Sequence, residues 1–379
     1  VRTELSVETK QTFQVIGLLA TVLVVAIHYQ SAMPTSANVH DASYNQLLQG
    51  FLIGGVARVA VPLFAFAAGF FYFRSDDGSF KTYFNKLRQR CRTVLIPYLV
   101  IGGIAMLSWV SVRSIEGDPV PFNLAELTWT WLVHPPAEQM WFLRDLMVLV
   151  VIAPLLRMAV DKTGHAFVIL VAMLWLSDWQ PMPIVGGWYV LHTETLFFFT
   201  LGCAAVHRVD LLERLGRAGT FTAISMILVW IGLLIARIML QPNFDNWYVT
   251  EYDIQSLLIQ KCSILAGCLA IWSVGYRLRT PLLSRLSGAA FFVYLVHEFP
   301  LRAIVQRTAA LLTSEPTSFW MITPTVVLSC FVTALLFSRY APSVFAFVTG
   351  GRTPQSASRL TDTIRMSPNC VPYSSSIAG

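Results

Sequence analysis

Apolar residues along this chain fall in long unbroken runs, without the strict alternation of a half-exposed strand or the one-sided stripe of a soluble helix. A helix crosses about 30 Å of hydrocarbon with roughly 20 apolar residues. Ten windows meet that requirement, near 12–33, 51–73, 94–113, 140–160, 165–181, 188–207, 219–240, 254–276, 287–312 and 318–340. The fifth is the weakest, because its apolar run is short before Asp178. Barrel strands would alternate over about ten residues, and backbone amides in lipid must be paired internally, so the windows predict helices. The expected fold class is an all-α membrane protein, with ten transmembrane helices around a polar cavity.

Charge between the windows fixes an expected orientation. Arg74, Lys81, Lys86, Arg88, Arg90 and Arg92 follow the second window, Arg157 and Lys162 the fourth, Arg208, Arg214 and Arg217 the sixth, and Arg277, Arg279 and Arg285 the eighth. The alternate segments hold Arg113 alone among basic residues, with acids such as Asp41, Glu116, Asp118, Glu126, Asp245 and Glu251. Cytoplasmic loops are the basic ones, so both termini are expected in the cytoplasm. Residues 10–342 read as one transmembrane domain, and 349–379, rich in Ser, Pro and Thr, as a disordered cytoplasmic tail.

Composition agrees. Of 379 residues, 55% are hydrophobic and 13% charged, against about 25% charged in soluble domains. The net charge of +6 is accounted for by the basic loops, so no nucleic-acid partner is expected. The six cysteines lack CxxC spacing and avoid the acidic outer segments, so neither a metal site nor a disulfide framework is indicated.

An ionisable side chain at mid-membrane costs about 2.5–3.5 kcal/mol on insertion scales, which makes each one a functional candidate. These are His28, Arg58, Arg144, Asp145, His192, Glu194, Arg237, Lys261, His297, Glu298, Arg302 and Arg307. With odd-numbered helices running outward, most of them fall in one layer in the outer half of the membrane. Plainer roles compete: Arg144–Asp145 as an interfacial ion pair, His297 as a packing histidine, Arg302 and Arg307 as snorkelling cations. His192 and Glu194, two apart, face different sides of a helix. His28 ends the run LLATVLVVAIH, which offers it no local partner, so another helix or water must satisfy it. On the cytoplasmic side, KTYFNKLRQRCR places Lys81, Arg88 and Arg92 on one helical face. That cationic face suits anionic membrane lipid or a phosphate-rich cofactor.

Several strings resemble the acyltransferase 3 family of integral-membrane acyltransferases. They are VVAIH in the first helix, VPLFAFAAGFFY in the second, the basic run leading to LIPYL, MWFLRDL in the fourth, FFFTLGC in the sixth and FFVYLVHE in the ninth. The resemblance covers roughly residues 10 to 340 and is nearest to the surface and exopolysaccharide O-acetyltransferases. It implies transfer of an acetyl group from cytoplasmic acetyl-CoA to a hydroxyl of a surface or exported polysaccharide, or of its lipid-linked oligosaccharide precursor. It further implies the bacterial inner membrane as location and polysaccharide assembly proteins as partners. The family histidine that ends the first helix is His28 here. The arginine usual eleven residues earlier is replaced by Gly17, and Ala68 stands for the family serine. Eleven helical residues rise about 16 Å along one face, a length suited to a pantetheine arm. Lys10, on the same face as His28, is a candidate substitute for the arginine.

The expected chemistry follows. His28 takes the sugar hydroxyl proton as that oxygen attacks the thioester, with a covalent acetyl-histidine as an alternative. Glu298 or Asp145 orients the imidazole. Arg88, Arg90 and Arg92, with Lys10, bind the CoA phosphates. Arg58 and Arg144 bind a glycan phosphate or polarise the carbonyl, and Trp141 and Tyr189 stack on sugar rings. A polytopic secondary transporter or glycan flippase would explain the buried charges equally, but would be expected to show inverted repeats and breaks at matching positions.

Overall fold

The computed structural model describes residues 5–31, 43–120, 123–180, 184–185, 188–240, 254–312 and 315–352. Each of the ten windows falls on a helix. Among the described residues, seven helices are long and apolar enough to cross a membrane: Val7–His28, Tyr44–Arg74, Phe80–Glu116, Thr193–Gly216, Thr220–Leu240, Ile254–Arg277 and Ser318–Tyr340. The other three windows depart from an uninterrupted apolar span for visible reasons. The fourth lies in Trp141–Thr163, which carries Arg144, Asp145, Arg157, Asp161 and Lys162. The fifth is a helix of 12 residues, His165–Leu176. The ninth is split into Ala290–Val296 and Leu301–Leu312. A two-residue hairpin, Ile184–Val185 paired with Trp188–Tyr189, precedes the sixth helix.

The helices sort by how much of their surface they bury. Val7–His28 starts at Ser6, whose hydroxyl accepts from the Thr9 amide at 3.2 Å. Its buried residues include Phe13, Val15, Ile16, Leu18, Ala20 and Val25, which point in all directions around the axis. A helix apolar all round belongs in an interior. This one packs against the second, eighth, ninth and tenth helices. By contrast, the apolar windows of Thr220–Leu240 and Ser318–Tyr340 are only 22% and 28% buried. They expose Phe221, Leu228, Val229, Met321, Leu328 and Leu336, a surface matched by lipid tails. The chain is a multi-pass membrane protein.

Three local features position the site. The second and sixth helices meet through Gly69 and Gly202: a Cβ on Gly202 would lie 2.6 Å from the Phe70 nitrogen, and one on Gly69 would lie 2.9 Å from the Phe199 Cα. Only glycine permits this approach of backbone to backbone. The second helix also loosens into a π stretch, Phe51–Gly55, and a 3-10 turn, Val56–Val59. Pro62, just beyond, has no amide to donate to Arg58. In the ninth segment Pro300 disfavours helical geometry at Phe299. Helix therefore stops at Val296, and His297 and Glu298 lie at the break.

The chain continues past the tenth helix through a short helix, Pro342–Val348. Of the expected tail only Thr349–Arg352 is described, and this part is packed. Thr349 is buried, and Arg352 Nη1 donates to the Thr93 carbonyl at 2.7 Å. Residues 353–379 lie outside the described residues.

Candidate active site

His28, at the C-terminal end of the central helix, faces the break in the ninth segment. Its ring centroid is 5.1 Å from that of His297. Nitrogen of His28 and carboxylate oxygens of Glu298 and Glu138 lie within 4.8 Å of one another. Glu138 comes from the 3-10 turn Glu138–Met140 that leads into the fourth helix. Arg302, one turn after Glu298, ties the two acids together: its Nη1 is 3.0 Å from Glu298 and 3.7 Å from Glu138. Arg302 therefore turns inward to carboxylates instead of snorkelling to headgroups. The Tyr29 hydroxyl donates to the His297 carbonyl at 2.6 Å, fastening the end of the first helix to the break.

His297 has a defined tautomer. Its Nδ1 lies 3.1 Å from the Val293 carbonyl and 2.9 Å from that of Tyr294. Carbonyl oxygens only accept, so Nδ1 carries the proton. Nε2 is then a bare lone pair, buried and without a hydrogen-bond partner among the described residues. A buried acceptor left open in this way calls for a donor from elsewhere. One imidazole and two carboxylates could also ligate a metal. Arg302 pairs with both carboxylates and offsets one of their two charges, so a guanidinium already stands where a metal ion would compete for the same oxygens.

Asp145, the other acid considered for orienting His28, has different partners. It is fully buried. It pairs with Arg144 at 3.4 Å and with His192 Nδ1 at 3.0 Å, and it accepts from the His192 amide at 3.0 Å. Arg144 also donates to the Val133 carbonyl at 2.8 Å. Trp141 lies against His192, ring centroids 4.4 Å apart. This second cluster joins the fourth and sixth helices. Glu194 turns away from it and accepts from Trp175 Nε1 at 3.1 Å, as the two-residue offset predicts. Lys261 is held by Asp178 at 2.8 Å. Arg58 is half-buried in the turn Val56–Val59. Tyr189 has a described backbone only; its side chain lies outside the described set.

The expected basic rim divides between two clefts. Arg88 and Arg92 line an open one of about 610 Å³, beside Asn85, Gln89, Phe347 and Gly350. Arg90 lines a second cleft of about 350 Å³, with Gln14, Gly17, Thr21, Tyr294, Phe291 and Arg352. At Gly17 an added Cβ would meet nothing within 4 Å. Lys10 is exposed and lines neither cleft.

Among the described residues, His28 lines neither of these two clefts. The second cleft ends at Thr21 and Tyr294, and His28 is not among its lining residues. Tyr294 packs edge-on to Phe64 and Phe142 at 6.3 and 6.4 Å, and its hydroxyl donates to the Gln139 carbonyl. Its ring is 6.0 Å from His297 on the other side. Tyr294 thus separates the cleft from the histidine pair by one aromatic layer. Sequence reasoning missed Glu138 and Tyr294 altogether. Arg302 carried a signal, its spacing of four from Glu298.

The comparisons with known proteins bear on this arrangement. Residues 16–339 match the family described as an acyltransferase domain, acyltransferase 3. The chain is 26% identical over 325 residues to the "Succinoglycan biosynthesis protein ExoH" of Rhizobium meliloti (strain 1021), covering 81% of this chain and 82% of that protein. No solved structure matches. With the family match spanning nearly all of the helical region, the chain belongs to the acyltransferase 3 family and is a membrane acyltransferase.

Proposed function

We propose that the protein is an O-acetyltransferase of the bacterial inner membrane. It moves an acetyl group from cytoplasmic acetyl-CoA to a hydroxyl of an exported or surface polysaccharide, or of its lipid-linked precursor. The ten helical segments cross the membrane, with both termini in the cytoplasm, because the basic connections alternate along the whole chain. The observation that carries the reading is the placing of His28 and the cationic cleft on one helix. Thr21, where the cleft ends, precedes His28 by seven residues, two turns or about 10 Å. The name of the relative from Rhizobium meliloti, a succinoglycan biosynthesis protein, favours a polysaccharide acceptor.

The chemistry runs as follows. A His28 nitrogen accepts the proton of the sugar hydroxyl while that oxygen bonds to the thioester carbonyl carbon. The tetrahedral oxyanion collapses, the C–S bond breaks, and the CoA thiolate leaves and takes the proton from the imidazolium. General base catalysis of this kind typically supplies about 10²–10⁴-fold. Glu298 orients the imidazole, and Arg302 holds Glu298 in place. His297 Nε2 accepts a hydrogen bond from a neighbouring hydroxyl of the same sugar and so aligns the attacking one. The acceptor enters past Glu138 and Arg302, whose side chains are 43% and 31% exposed. The acyl arm enters from the cleft, so the Tyr294 ring swings aside during turnover.

The test is labelled acetyl-CoA supplied to membranes with the glycan acceptor, alongside mass spectrometry of surface glycans from a deletion strain. A label on the glycan and an acetyl ester missing from the deletion strain support the reading. Flux of glycan through vesicles without acetylation would replace it with the transporter reading, to which the broken ninth segment would also be suited.

A further inference from the structure

We infer that Arg352, delivered by the Gly350–Gly351 turn, forms with Arg90 a half-buried site for a phosphate or diphosphate group of the soluble acyl donor. The inference rests on the donor reading above and adds a residue from a segment with no helical or apolar signal. The cleft that holds these two guanidinium groups contains no carboxylate among its lining residues. Burial, and then the charge of Arg90, push the Arg352 guanidinium down to about 10. Two like charges lining one half-buried cleft without a counter-ion are unfavourable, and an anion between them removes the conflict.

The arrangement is built into the backbone. Gly350 and Gly351 have φ of +64° and +85°, left-handed geometry that strains any residue with a Cβ. At Gly350 a Cβ would also lie 2.9 Å from the Thr93 carbonyl carbon. This double turn brings Arg352 back onto the third helix. There its guanidinium lies 3.8 Å above the Phe291 ring, and Nη1 donates to the carbonyls of Thr93 at 2.7 Å and Thr349 at 3.0 Å. Nε and Nη2 make no hydrogen bond among the described residues, and Arg90 has no ion pair there. Those donors remain for an anion. Beside them, Gly17 opens space along the first helix for the uncharged acyl arm to run toward His28.

The ligand is a phosphate ester, and a lipid headgroup would offer the same chemistry, so the test separates the two. The full chain, in nanodiscs of phosphatidylcholine, is titrated with CoA and with pantetheine, which has the arm without phosphates. R352A and R90A are expected to weaken CoA binding about 10- to 100-fold, the usual range for losing a charge-assisted contact. Pantetheine binding stays within about 3-fold, and R352K recovers part of the loss. If R352A binds CoA as the wild type does, the inference is overturned while the acetyltransferase reading stands. Equal weakening toward both ligands would make Arg352 a packing residue and would also overturn it. Loss of retained anionic lipid by R352A, with CoA affinity unchanged, would assign the site to a headgroup instead. Wild-type protein that binds no CoA would remove the donor reading itself.

Discussion

Replacing Gly202 or Gly69 by alanine tests the packing that holds the second and sixth helices together. In Gly202→Ala the new methyl would sit 2.6 Å from the Phe70 nitrogen and nearer still to the Phe66 carbonyl oxygen. Apolar contacts relax at about 3.5–4.0 Å, so the helices would have to separate by roughly 1 Å. The atoms in the way are backbone, and no rotamer change relieves the clash. Overpacking of this kind costs about 1–3 kcal/mol, and a lost close approach along the helix pair adds to it. The second helix carries Phe64, Ala67 and Ala68 into the cleft lined by Arg90, so on the proposed donor reading a raised KM for acetyl-CoA should accompany the lower stability. Thermal unfolding of purified protein in detergent, followed by tryptophan fluorescence, reads the first effect. Gly232→Ala is the control: a Cβ there meets nothing within 4 Å, and alanine is the better helix former by about 0.5–1 kcal/mol. A Tm for Gly202→Ala equal to that of Gly232→Ala would refute the backbone-contact argument.

Other outcomes follow from the same geometry. Arg302→Ala leaves Glu298, 2% exposed at its side chain, without its cation; kcat should fall at least about tenfold, and the Glu138→Gln/Arg302→Ala double variant should regain thermal stability by removing one of the two clustered acids. Asp145→Asn strips the charge from a fully buried acid held by Arg144 and His192; it should destabilise by about 3–5 kcal/mol, measured by thermal unfolding, a loss larger than that of any His28 variant. Gly17→Leu fills open space in the cleft; it should leave Tm unchanged and raise KM for acetyl-CoA several-fold in a steady-state transfer assay.

The physics of lipid makes the helices legible and leaves most of the site unreadable. Apolar length marks the seven helices long enough to cross, because backbone in lipid must pair within its own segment. His28 and Glu298 are readable as well, since an ionisable group in such a run needs a reason. Pro300 in VHEFP signals the broken ninth segment, although the window across 287–312 hides it. Glu138 carries no such mark: it lies in a loop, where acids are ordinary, and only the tertiary fold brings it beside His28. Asp145 looks interchangeable with Glu298 until the fold assigns it to His192. The two glycines sit inside strings that identify the family, FAAGFFY and FTLGC, yet nothing in either string says that they touch. Arg352 stands where Ser, Pro and Thr dominate the chain, so no periodicity distinguishes it from its neighbours.

The central claim is that one imidazole, His28, serves a donor from one side of the membrane and an acceptor from the other. Sealed proteoliposomes of known orientation test it most directly, with radiolabelled acetyl-CoA confined to the side of Arg88 and Arg92 and the glycan confined to the opposite side. Label should pass to the glycan with the wild type and fall by about 10²–10⁴-fold with His28→Ala. Transfer that persists in His28→Ala, or that occurs only when donor and acceptor share a compartment, would contradict the account.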